Sequence, residues 1–168
     1  MIKCRDFASF PLLILLMLAA SGCSDPPPAL VPGSSVPGFA LADLSGGTVK
    51  MPEDLAGKVV AVRFWADWCP FCKSEMQALE PVYQRLQDEG LALLAINVRQ
   101  EPATAKAFVD KLGISYPTLL DRDGAVAREY HVIGLPTTFI VDREGRLVGR
   151  IIGESTPEVF ENAVRERL

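Results

Sequence analysis

Histidine is almost absent: His131 is the only one in 168 residues, which excludes a multi-histidine metal centre. No block of Lys and Arg occurs, the formal net charge is −4 and the pI is about 5.1. The chain therefore offers no basic face to displace counterions from phosphates, and no nucleic-acid grip is expected. Four cysteines are too few for a miniprotein stapled by disulfides. Long apolar runs are lacking too. Phe10–Ala20 has eleven residues with Pro11 among them, whereas a membrane-spanning helix needs about 20. With 49% hydrophobic and 23% charged residues, disordered and collagen-like classes are also excluded, and the length suits one domain with appendages.

What is present begins with an address. Lys3 and Arg5 lead into Phe10–Ala20, which reads as the h-region of an export signal. Ala20-Ser21-Gly22-Cys23 follows and resembles the lipobox of bacterial lipoproteins, with Ala20 where Leu is commoner. That resemblance implies cleavage before Cys23 and lipidation of its sulfur. An ordinary cleavage site and an uncut anchor are the other readings. Residues 1–22 are thus expected to form a lipoprotein-type signal peptide. Their removal takes Cys4 and leaves Cys69 and Cys72 as the free pair, in a compartment that tolerates disulfides. The run Ser24–Gly38, with Pro26, Pro27, Pro28, Pro32 and Pro37, favours extended backbone, and residues 23–35 are read as a tether. At ~3.1 Å per residue, the Pro-rich run could hold a domain roughly 40 Å from a lipid surface. Residues 36–168 form the predicted domain.

Within it, strands and helices alternate. Phe39–Leu41 and Thr48–Met51 flank Gly46-Gly47 as a hairpin. Lys58–Trp65 and Leu91–Asn97 are apolar runs typical of strands covered on both faces. Between them Met76, Leu79, Val82, Tyr83 and Leu86 recur at helical spacing, with a kink expected at Pro81 and a stop at Gly90. Two such strands joined by a helix predict a parallel, right-handed βαβ unit. Pro102–Leu112 predicts a helix with Ala105, Phe108, Val109 and Leu112 inward. Pro117–Leu120 is a short extended piece and Ala125–Tyr130 a short helix. Thr137–Val141 and Leu147–Ile152 predict a hairpin, and Thr156–Arg167 a final helix with Val159, Phe160, Ala163 and Val164 inward.

Trp68-Cys69-Pro70-Phe71-Cys72 follows the first buried strand and is read as opening the long helix. Two thiols at i and i+3 on a helical turn can close a small disulfide ring. Cys69 would lie where unpaired amides and the positive helix end favour a thiolate, the form that attacks disulfides. Cys72, deeper in the helix, would resolve the mixed disulfide, and Pro70 suits a first turn. A zinc half-site is disfavoured because no second Cys/His pair exists to complete four ligands.

Phe64–Lys73 resembles the signature of the thioredoxin superfamily, in particular its TlpA/ResA/DsbE-like exported branch. The opening pattern Pro37, Phe39, Leu41 and Asp43, then Gly57-Lys58 and Gly134–Phe139, resemble further family segments in the same order. The resemblance implies an α/β thioredoxin-like fold: a central mixed sheet flanked by helices, with an N-terminal β-hairpin and an inserted helix. It implies a cis peptide bond before Pro136, in a loop that faces the cysteines and offers backbone groups to an extended substrate. Trp68, Pro70, Phe71, Leu135 and Pro136 are then the expected substrate contacts. It further implies that Glu75, one turn beyond Cys72, carries a proton for the thiols; a solvated first-turn Glu is the alternative.

Arg63 fits the pattern poorly. Related proteins carry Asp or Asn at the matching strand position, and a buried guanidinium must find an acid or reach solvent. Pairing with Glu75 is one outcome, and lowering a thiol pKa is another. Trp65 is expected over the thiols or in the core. His131 is read as a structural loop residue, and Asp67 and Lys73 as solvated. Together these readings predict a lipid-anchored, extracytoplasmic or periplasmic, monomeric thiol–disulfide oxidoreductase needing no cofactor or metal. Its partners would be exported protein thiols and disulfides and a membrane electron donor of the DsbD/CcdA kind. Reduction is the preferred direction. A dithiol oxidase, a copper-handling chaperone using the same cysteines, and a peroxiredoxin-type peroxidase are the rivals.

Overall fold

A computed structural model describes residues 30–168. The signal segment, Cys4, Cys23 and the first part of the tether lie outside the described residues. Among them run β1 (Phe39–Asp43), β2 (Thr48–Met51), β3 (Val59–Trp65), α1 (Cys72–Leu86), β4 (Leu91–Val98), α2 (Pro102–Val109), β5 (Thr118–Asp121), α3 (Ala125–Glu129), β6 (Thr137–Val141), β7 (Leu147–Ile152) and α4 (Pro157–Arg165). The strands form one sheet in the order β2-β1-β5-β4-β3-β6-β7. β3, β4 and β5 are parallel neighbours and the outer pairs are antiparallel, which makes the sheet mixed.

The period-2 alternation of strand side chains divides the core into two layers. Val59, Ala61 and Trp65 of β3, with Leu91, Leu93 and Ala95 of β4, meet Met76, Leu79, Val82 and Leu86 of α1 and Phe160 and Val164 of α4. Val60, Val62 and Phe64 face the other way, toward Val126 and Ala127 of α3 and toward Tyr130, Phe139 and Met51. The rings of Phe64, Tyr130 and Phe139 meet with centroids 5.2–5.8 Å apart. The Tyr130 hydroxyl donates to the Pro37 carbonyl at 2.8 Å, tying the N-terminal segment to this layer.

Most predicted elements are present, with shifted ends. The hairpin turns through Gly46 and Gly47, both at positive φ (103° and 95°), which only glycine adopts without strain. α1 continues through Pro81 without interruption and closes in a 3-10 turn at Gln87–Glu89 before Gly90, whose φ is 109°. α2 stops at Val109, three residues early, though Leu112 is still buried. In α4 only Phe160 and Val164 are fully buried; Val159, expected inward, is 52% exposed because it lies a quarter-turn round from that pair.

Residues 30–35, read as the end of the tether, lie against the body. Gly33 N–H donates to the Leu147 carbonyl (2.7 Å), Leu147 N–H to Ser34 (2.9 Å) and Val36 N–H to Gly145 (3.2 Å). These bonds cover part of the free edge of β7. The Leu135–Pro136 bond is cis as the resemblance implied, and Met51–Pro52 is cis as well.

Candidate active site

Sheet register brings two loops to one end of the molecule. Phe64 of β3 pairs with Thr137 of antiparallel β6, so the loop leaving β3 and the loop entering β6 stand side by side. The first carries the cysteines and the second carries Leu135 and Pro136. Leu135 packs against the core cluster that contains Cys69 and Cys72.

Cys69 and Cys72 form a disulfide with an S–S distance of 2.09 Å and Cα atoms 5.4 Å apart. The loop that holds them is a tight turn rather than helix: Cys69 N–H donates to Ala66 (3.2 Å) and Cys72 N–H to Cys69 (3.3 Å). α1 begins at Cys72, so Cys69 and Pro70 precede it, a correction to their expected place in the first helical turn. Pro70 costs no bond at this position because its nitrogen has no hydrogen to donate. Cys69 keeps 2% of its surface and Cys72 none, so of the two residues Cys69 is the one that touches solvent.

Around the pair, Trp68 and Phe71 are exposed (68% and 47%), as is Ile133 of the second loop (87%). Trp65 belongs to the core: it is fully buried and stacks on Phe108 at 5.0 Å. Asp67, expected to be solvated, is exposed but clamped. Its N–H donates to Gln100 Oε1 at 2.9 Å and its carboxylate accepts from Gln100 Nε2, while Asn97 also donates to Gln100 (2.8 Å). The clamp ties the cysteine loop to the end of β4. Lys73 is exposed, and His131, at positive φ after α3, stands outside the cysteine loop.

Strand alternation turns Arg63 toward α1, the layer of Ala61 and Trp65, and there it meets Glu75. Nη2 lies 2.6 Å from Oε2, and Nη1 donates to Oε1 at 3.1 Å, with both side chains almost wholly buried. Nη1 also donates to Thr138 Oγ1 (3.0 Å), while Ser155 donates its N–H (3.2 Å) and hydroxyl (2.8 Å) to Glu75 Oε1. The Nη2–Oε2 approach is the closest contact of this ion pair. A solvated Glu75 is therefore ruled out. Sequence reasoning found Arg63 and Glu75 but missed Thr138, Ser155, Gln100 and Asn97. Only Ser155 had a nearby cue, the Thr156-Pro157 helix start.

Among the described residues no three His, Cys, Asp or Glu side chains gather as metal ligands, and no helix is long and apolar enough to cross a membrane.

A family model described as AhpC/TSA matches residues 32–150. A thiol-disulfide oxidoreductase ResA from Bacillus anthracis is 32% identical over 134 residues, covering 80% of this chain and 77% of its own. One of the same name from Geobacillus thermodenitrificans is 34% identical over 152 residues, covering 87% of each. Among solved structures, a putative thiol:disulfide interchange protein DsbE from Chlorobium tepidum superposes with a TM-score of 0.78 at 28% identity, over 83% of this chain and 99% of that one. The thioredoxin domain of a thiol-disulfide oxidoreductase from Bacteroides vulgatus gives 0.71 at 26% identity, over 81% of this chain and 99% of that one. The expected thioredoxin-like fold is borne out.

Proposed function

We propose, for a chain that belongs to the AhpC/TSA family and is a thiol–disulfide oxidoreductase of the ResA/DsbE type, that it reduces disulfides of exported proteins while anchored outside the cytoplasm. The observation that carries this reading is the Cys69–Cys72 disulfide just after β3, with Cys72 fully buried, Cys69 at the surface side of the pair and exposed apolar side chains around it. In the reduced protein the Cys69 thiolate attacks one sulfur of a client disulfide. A mixed disulfide forms and one client thiolate leaves, taking up a proton. Cys72, once deprotonated, attacks the Cys69 sulfur; the internal disulfide re-forms and the second client thiolate departs. Two electrons thus pass to the client, and a membrane dithiol donor of the DsbD/CcdA kind returns them. Trp68, Pro70, Phe71, Leu135 and Pro136 form the contact surface for the client in this scheme.

Glu75 is assigned as proton carrier for Cys72, a reading supported by its place one turn further along α1, buried like Cys72. Lipidation of Cys23 supplies the anchor; its support is the order of h-region, small residues and Cys in the sequence.

Trapping with Cys72→Ala tests the scheme, since the mixed disulfide on Cys69 then has no internal thiol to resolve it and clients accumulate on it. Equilibration with glutathione sets the direction. A potential nearer −270 than −120 mV, on a scale where thioredoxin-fold proteins span about that range, fits a reductase. A value near the upper end overturns reduction in favour of the oxidase. Glu75→Gln should slow exchange, and unchanged rates would leave Glu75 a structural partner of Arg63.

A further inference from the structure

A groove of about 520 Å³ opens beside the disulfide, lined by Trp68 from the cysteine loop and by Val132, Ile133 and Leu135 from the loop before β6. Among the described residues its charged lining is Arg99 and Arg128, with no acidic residue in the lining. Both are exposed, and neither has a carboxylate within ion-pair distance among the described residues, a state they share with Arg150 and Arg167, neither of which lines this groove. Arg99 is held in place by its surroundings. Its backbone sits at φ 56°, fixed by an N–H bond to the Asp121 carbonyl (2.9 Å), and its side chain lies across Gly124. A Cβ at residue 124 would come within 2.4 Å of its Nε, so the arginine would have to shift if this glycine were replaced. Arg128 is steadied by donating to the Asp123 carbonyl at 2.7 Å. An uncommon backbone conformation maintained at a ligand-facing residue is a mark of a functional position.

Two steadied, unpaired guanidinium groups beside an apolar trough attract a segment that brings both an apolar side chain and a carboxylate. We infer that this groove selects client polypeptides carrying an acidic residue together with an apolar one next to their disulfide cysteine. The inference rests on the oxidoreductase reading above and names the substrate class of the same site. An extended client fits it, since residues two apart along a strand project to the same side about 6.8 Å apart.

The test uses the full chain, reduced beforehand, in single-turnover reactions with two cystine peptides that differ only in a Leu-Gly-Asp or a Leu-Gly-Lys segment beside the cysteine, which puts the apolar and the charged side chain on one side of the extended peptide. The acidic peptide should be reduced about fivefold to tenfold faster, two exposed charge pairs' worth of discrimination. The ratio should fall toward parity above about 0.5 M salt, where charges are screened within a few ångströms. In an Arg99→Gln/Arg128→Gln variant of native thermal stability the preference should vanish. Reduction of both peptides by the unaltered chain at rates within about twofold, the lower bound for two exposed pairs, overturns the inference and leaves the redox reading standing. A preference that persists in the double variant overturns it too, as does a dimer that shields Trp68 fluorescence and gives the groove to a second copy. Failure to reduce either peptide or a small aromatic disulfide removes the oxidoreductase reading, and the inference falls with it.

Discussion

Arg63 sits in the middle of an apolar strand, and its charge survives there because Glu75, Thr138 and Ser155 close around the pair. Taking two ions out of water costs several kcal/mol each, so such a pair adds little net stability, but losing one partner strands the other. Arg63→Met is therefore expected to cost about 3–5 kcal/mol in urea unfolding, and Arg63→Met combined with Glu75→Leu to recover most of that loss. A double variant as unstable as the single one would show that the charges contribute on their own account. The need for a partner was legible in the sequence: a guanidinium between Val62 and Phe64 demanded an acid, and Glu75 was within reach on the facing helix. Thr138 and Ser155 were not legible as partners of the pair, because their hydroxyls come from 75 and 80 residues away and no local pattern links them to Arg63 or Glu75. Asp121 escaped notice for the same reason; its buried carboxylate accepts the N–H groups of Val126 (3.2 Å) and Ala127 (2.8 Å), the start of α3.

The β6–β7 connection shows how an element is set by one side chain. Asp142 Oδ1 accepts from the N–H groups of Glu144 (3.0 Å) and Arg146 (2.8 Å), and Oδ2 meets the Arg146 guanidinium at 3.2 Å. Burial alone would raise the Asp142 carboxyl, but the Arg146 amide and guanidinium and the Glu144 amide outweigh it and hold it below the usual carboxylate range. A carboxyl lowered in the folded state stabilises fully above its unfolded pKa, and that contribution fades as pH falls below about 4. Asp142→Ala should cost about 1 kcal/mol at pH 7. The gap from the unaltered protein should narrow between pH 4 and pH 2 in thermal melts; a gap that stays constant with pH would mean that the ionised form is not what the turn requires. Strands and helices were legible from apolar runs and helical spacing, because those patterns record which faces are buried. Their ends were not, because hydrogen bonds of the turns decide them: α1 gives up its first turn to the Cys69–Cys72 loop, and α2 ends where Asp110 N–H bonds to Lys106 (2.9 Å) and Leu112 N–H to Val109 (2.8 Å).

Across the whole molecule, the sheet does two tasks: it separates the two core layers and brings the cysteine loop and the Pro136 loop to one end. That convergence was legible only through family resemblance, because the pairing of β3 with β6 joins segments more than 70 residues apart that no local pattern links. The stretch before β1 is part of the same architecture. A chain beginning at residue 37 should be less stable than one beginning at residue 30 by about 2–4 kcal/mol, the worth of three backbone hydrogen bonds and their cover, measured by denaturant titration. Equal stabilities would make residues 30–36 a passive approach to the domain. Because those seven residues lie along the border of β7 through separate bonds, they act as stored slack. Tension on the chain ahead of Leu30 peels them away first, letting out about 24 Å of line before any strand of the sheet carries the load.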